Sequence, residues 1–155
     1  MQGLPPRSFR SWSARALQLV LGLWLTTLVP SAAAEQKLDF NGYELHYVVI
    51  PTTFLDAKTS AKYEITRARD RALVNLSLLR EGEGLTVEAL TGTVKNLLSQ
   101  TQTLRFTEVI EGDAVYYLAE LKHSDRDILT FDVVVTPPNG TATELTFQQK
   151  MYADQ

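Results

Sequence analysis

There is no cysteine among the 155 residues, and that absence removes several kinds of chemistry. A disulfide framework, a thiolate metal site, a cysteine nucleophile and lipid attachment through an N-terminal cysteine are all excluded. The domain must hold itself by its core alone. Histidine is nearly as scarce, with only His46 and His123. They fall on different predicted elements and neither belongs to an H-x-x-x-H pattern, so no zinc ligand set can be assembled. The expectation is one surface strand histidine and one turn histidine.

Also missing are a G-x-S-x-G elbow, a phosphate-binding glycine loop and a dinucleotide fingerprint. His123-Ser124-Asp125 carries the letters of a hydrolytic triad. Neighbours in one tight turn cannot aim a base at a nucleophile and an acid at the base. Asp125, Asp127 and Asp132 lack the glycine and distal glutamate of a calcium loop. No metal or other cofactor is expected.

The first 34 residues lack acidic side chains altogether. Arg7, Arg10 and Arg15 form a positive n-region, and Ala16 to Val29 is an uncharged apolar run. Pro30 breaks it, and Ser31-Ala32-Ala33-Ala34 supplies small residues for cleavage between Ala34 and Glu35. The apolar run would make about 21 Å of helix, short of a hydrocarbon core of roughly 30 Å, so a cleaved signal peptide is favoured over a membrane anchor. With no Arg-Arg pair, nothing indicates the twin-arginine route.

Removing residues 1–34 leaves 121 residues with 12 basic and 18 acidic side chains, a net charge near −6. Such a domain is a poor partner for nucleic acid or anionic lipid. A cysteine-free exported domain suits a bacterial periplasm, and the mature form has no stable membrane span.

What remains reads as strands. Asn41-Gly42 is a tight-turn signal, and Tyr43, Leu45, Tyr47 and Val49 then alternate toward a core, with His46 on the other face. Asp56 can cap a short helix over 57–62. Ala72, Val74, Leu76 and Leu78 form a continuous apolar row. Strands are also expected over 85–94, with a bulge or bend at Gly92, and over 104–110, 114–122, 128–136 and 142–152. About seven strands joined by short turns, with one short helix, predict an all-β, antiparallel two-sheet sandwich of immunoglobulin-like type in one domain, residues 35–155. A small barrel is the rival architecture.

One stretch stands out as a candidate surface. Arg67, Arg69 and Arg71 occupy every second position before the apolar row. On a strand they would form an outward rib about 6.8 Å apart, able to meet an extended anion. Pairing with acids of a neighbouring strand is the plainer alternative. His46, Tyr63 and Asn75 are candidate neighbours of this face. Glu108, Glu111, Asp113 and Glu120 could supply paired carboxylates, but no spacing singles out a catalytic pair.

Several segments together resemble a known family: Leu38-Asp39-Phe40 with Tyr43-Glu44 and His46-Tyr47, Thr53-Phe54-Leu55, Tyr63-x-Ile65-x-Arg67-x-Arg69, Asn75-Leu76-Ser77, and Glu111-Gly112-Asp113-Ala114 with Tyr116 to Glu120. This set is similar to the Gram-negative bacterial domain of unknown function 4426. The resemblance implies a small exported β-rich protein and carries over no catalytic or binding residue. The combined expectation is a periplasmic, non-enzymatic binding domain of the cell envelope, its partner an envelope protein or a small anionic ligand. A carboxylate-dependent hydrolase and a purely structural envelope protein are the alternatives. Sequencing the N-terminus of the exported protein should give Glu35 as its first residue; Met1 would overturn the signal reading.

Overall fold

A computed structural model describes residues 36–153. The expected signal segment, with Ala34 and Glu35, lies outside the described residues. Ten strands, a 3-10 turn at Thr52–Phe54 and one helix make up the described chain. The strands are β1 (Gln36–Phe40), β2 (Tyr43–Pro51), β3 (Arg71–Arg80), β4 (Glu83–Leu85) and β5 (Ala89–Asn96). They continue as β6 (Thr101–Leu104), β7 (Thr107–Glu111), β8 (Ala114–Lys122), β9 (Ile128–Thr136) and β10 (Thr143–Lys150).

They form two sheets in a sandwich. The six-stranded sheet runs β1-β2-β3-β8-β7 with β4 added to β3, and the four-stranded sheet runs β10-β9-β5-β6. Every pairing is antiparallel. The β1–β2 hairpin closes as expected: Asn41 and Gly42 have φ of 49° and 79°, the pair of positive values that a two-residue turn matched to strand twist requires.

Alternation builds the core. Ala72, Val74, Leu76 and Leu78 of β3 are buried, as are Leu129, Phe131, Val133 and Val135 of β9 in the other sheet. Phe131 stacks on Phe147 with ring centres 4.6 Å apart, and Phe147 in turn meets Tyr47 of the six-stranded sheet at 4.7 Å. Aromatic contact thus ties the two layers together.

Three expectations change. The segments 85–94 and 104–110 are not single strands, and the stretch before Asn41-Gly42 is a strand of its own, β1, so ten strands replace about seven. Each changes sheets midway: β4 pairs with β3 but β5 with β9, and β6 pairs with β5 but β7 with β8. Gly92 is no bulge. It sits in regular register between Leu104 and Val133, and a Cβ there would lie 3.1 Å from the Phe106 ring, so the missing side chain makes room for that ring. His123 stands beside a turn as expected, but it is buried there: only 6% of it is exposed. Its backbone N–H donates to Asp70 O at 2.9 Å, which draws the residue under the chain entering β3.

The helix α1 (Ala57–Lys62) follows its predicted cap. Asp56 Oδ1 accepts from the backbone N–H groups of Lys58 and Thr59, both at 2.9 Å, and Oδ2 accepts from the Thr59 hydroxyl at 2.7 Å. These bonds, the Thr59 hydroxyl foremost, hold the Asp56 carboxyl below its usual range. The excursion from the 3-10 turn through α1 to Asp70 leaves β2 and returns as β3. Thr52, 0% exposed, closes it. Its Oγ1 accepts from Ala68 N at 3.0 Å and faces the carbonyls of Ala68 and Arg71 at 3.2 and 3.3 Å. Thr52→Val keeps the shape but removes the acceptor of Ala68 N and the donor to the two carbonyls. It should cost about 1–3 kcal/mol in chemical denaturation, with Thr52→Ser retaining most of the stability.

Candidate functional site

Alternation along β3 puts Arg71, Leu73, Asn75 and Ser77 on the outward face of the six-stranded sheet, opposite the core row. The excursion 52–70 contributes Tyr63 and Ile65 above this face, and β8 and β7 contribute Leu118 and Val109 beside it. These apolar side chains enclose a cleft with two lobes. The first, of about 390 Å³, is lined by Glu64, Arg71, Thr103, Arg105, Thr107 and Glu120. The second, of about 210 Å³, is lined by Val48, Ile50, Leu55, Thr59, Asn75, Glu111 and Tyr116. Tyr63, Ile65, Leu73, Val109 and Leu118 line both. One lobe is therefore polar and the other largely apolar.

The six candidate residues part ways here. Tyr63, Arg71 and Asn75 line the cleft. Arg67 and Arg69 do not, and the three arginines form no rib. The chain before β3 is not extended: Arg71 N bonds to Ala68 O at 3.3 Å in a tight turn, and the ladder with β8 begins only at Arg71. Arg67 is exposed and donates to Thr53 O at 3.2 Å. Arg69 is exposed, with no ion pair among the described residues. Arg71 Nη1 donates to Glu120 Oε2 at 2.9 Å, each side chain about a quarter exposed (28% and 25%). Glu120 Oε1 also accepts from Thr66 N at 3.1 Å. Cross-strand ion pairing thus accounts for Arg71.

Asn75 differs. Its Oδ1 is buried without a hydrogen-bond partner, an arrangement that costs free energy unless something else supplies the bond. His46 stands apart, in a third cavity of about 510 Å³ with Ser77, its register partner on β3. The Ser77 hydroxyl donates to Val115 O at 2.8 Å, and His46 Nε2 lies 3.1 Å from Glu44 Oε2.

Register, not local pattern, places Arg105, Thr103 and Val109 in the cleft, because they follow the strand that changes sheets. Leu73 and Leu118 did carry a signal: both are apolar on rows that would otherwise face water. At the far end, Lys62 and Tyr63 both donate to Glu111 and latch α1 to the end of β7. The Lys62 ammonium, and then the Tyr63 hydroxyl, hold the Glu111 carboxyl below its usual value. The same contact, led by Glu111, raises the Lys62 ammonium.

The family model for a domain of unknown function, DUF4426, matches residues 37–154, and the chain belongs to that family. No curated protein sequence matches it. A crystal structure of a DUF4426 family protein from Pseudomonas aeruginosa PAO1 is similar, with 26% identity over 78% of this chain and 97% of that one and a TM-score of 0.71. FetP of uropathogenic Escherichia coli strain F11, as isolated, shares 15% identity over 79% of this chain and 96% of its own, with a TM-score of 0.51. A copper-bound variant of FetP gives the same identity and score over 92% of its chain. The likeness to FetP shows the fold.

The latch predicts a pH dependence. Glu111 titrates in the folded protein below its ordinary value of 4.5. Its contribution is complete above that value and is lost as pH falls through the lower, folded value. Amide signals of α1 followed by NMR from about pH 7 to about pH 3 should show this release, and Glu111→Gln should remove the step.

Proposed function

We propose that the protein is an exported, non-enzymatic binding domain of the bacterial cell envelope, and that its binding site is the two-lobed cleft on the six-stranded sheet. The observation that carries this reading is the unpartnered Asn75 carbonyl oxygen in a cleft whose lobes differ in polarity. Small-molecule sites combine apolar walls with a few placed polar groups in this way. Export is supported by the arginine-bearing start, the apolar run and the small residues before Glu35. Among the described residues no helix is long and apolar enough to cross a membrane.

Binding suits the cleft better than hydrolysis. Glu120 is held by Arg71 and Thr66, and Glu111 by Lys62 and Tyr63. Glu64 is then the one acid of the cleft outside these contacts, whereas carboxylate catalysis needs a cooperating pair. Copper does not carry over from FetP. Among the described residues no three His, Cys, Asp or Glu side chains gather as a metal site would require: His46 Nε2 meets Glu44, and His123 meets the Ser124 carbonyl through Nδ1 while its buried Nε2 has no partner.

The test is to fill the cleft. Leu118, half-buried and common to both lobes, is replaced by Trp, and the protein purified after export is exposed to the small-molecule fraction of an envelope extract. Native mass spectrometry should show a retained ligand on the parent and on Arg67→Ala, and none on Leu118→Trp at unchanged melting temperature. Equal retention by Leu118→Trp overturns the assignment of the site.

A further inference from the structure

Resting on that reading, we infer that the cleft takes a small zwitterion of α-amino-acid type whose apolar side chain ends in a hydrogen-bond donor. The charges of the polar lobe point to the head group. Four ionic side chains line it, and two of them, Arg71 and Glu120, neutralise each other. That leaves Arg105 and Glu64, one cation and one anion, both exposed and with no ion pair among the described residues. A ligand with a single negative charge would gain from Arg105 and be repelled by Glu64. A ligand carrying both a carboxylate and an ammonium is matched by both, and a guanidinium favours a carboxylate by its two parallel donors.

The other lobe points to the side chain. Its walls are largely apolar, and the route into it runs along the outward row of β3, from Arg71 past Leu73 to Asn75. At about 3.3 Å per residue that row spans roughly 13 Å. Its far end is the buried Asn75 oxygen, an acceptor without a donor. An apolar side chain alone would leave that acceptor orphaned, whereas one tipped with a hydroxyl would satisfy it. Tyrosine has this layout of charges, ring and phenolic O–H. So does a short peptide ending in tyrosine, and the span leaves room for either.

The experiment uses L-tyrosine and glycyl-tyrosine as probes, with L-phenylalanine, L-tyrosine amide and N-acetyl-L-tyrosine as controls, measured by calorimetry on the exported protein. Saturable binding of tyrosine or of the dipeptide is expected, and the tighter of the two identifies the source. The amide, lacking the carboxylate, and the N-acetyl form, lacking the ammonium, should each bind about tenfold more weakly. Phenylalanine should lose about tenfold for want of the hydroxyl. Arg105→Ala should erase the amide difference, Glu64→Gln the N-acetyl difference, and Asn75→Leu the phenylalanine difference. The control series on the parent protein stands even where a variant fails to fold. No saturable binding at millimolar concentration, or equal binding by all five compounds, overturns the inference. If neither probe binds while Leu118→Trp still abolishes retention of an extract ligand, the binding reading survives and the zwitterion falls.

Discussion

The buried hydroxyl of Thr52 is the point on which the cleft-bearing face depends. A sheet that leaves one face to water exposes its outward apolar side chains, and here the chain covers part of that face with its own excursion. The excursion is short and holds only six helical residues, too few to be stable by themselves. It persists because Thr52 engages Ala68 and Arg71 where the chain returns. The Asp56 cap and the Glu111 latch shape the intervening turn, but both are exposed to water. The cleft exists because this flap is fixed at its base and lies over Leu73 and Leu118 without filling the space between them.

Much of the architecture was legible from alternation, since a two-residue period decides which side chains a strand buries. The inward rows of β2 and β3 read directly, as did the extents of β8 and β9, the Asn41-Gly42 turn and the Asp56 cap. The changes of sheet did not read, because alternation is blind to which neighbour a strand pairs with. Leu85 to Val94 shows apolar residues throughout, and only long-range register reveals that its two ends serve different sheets. Gly92 misled for a related reason. A glycine in a strand marks either a bulge or a close approach, and the approaching Phe106 comes near only through the pairing of Gly92 with Leu104 on the next strand.

The candidate site was legible in half. Arg71, Tyr63 and Asn75 were found by following one outward face, and they do share a cleft. Arg67 and Arg69 matched the same every-second-residue pattern, but their segment is curled by the Thr52 contacts and never enters a ladder. Arg105 gave no local signal at all. The apolar outward residues Leu73 and Leu118 were the informative exceptions: on a solvated face they are out of place, and a covering segment explains them.

Tyr117 has a wider reach than its place in the core suggests. Its hydroxyl accepts from Val87 N at 2.9 Å and donates to Glu108 Oε2 at 2.7 Å. Val87 lies between β4 and β5, in the first segment that changes sheets, and Glu108 lies in β7, just past the step in the second. One phenol therefore pins both places where the chain steps between layers. Burial, chiefly, pushes that phenol up to about 12, so its proton stays in place through the alkaline range any cell meets. Mechanically this acts as a clip: the link from β4 to β5 cannot lift away from β8 without breaking the bond to Val87 N, while the bond to Glu108 braces β8 against β7 within the six-stranded sheet.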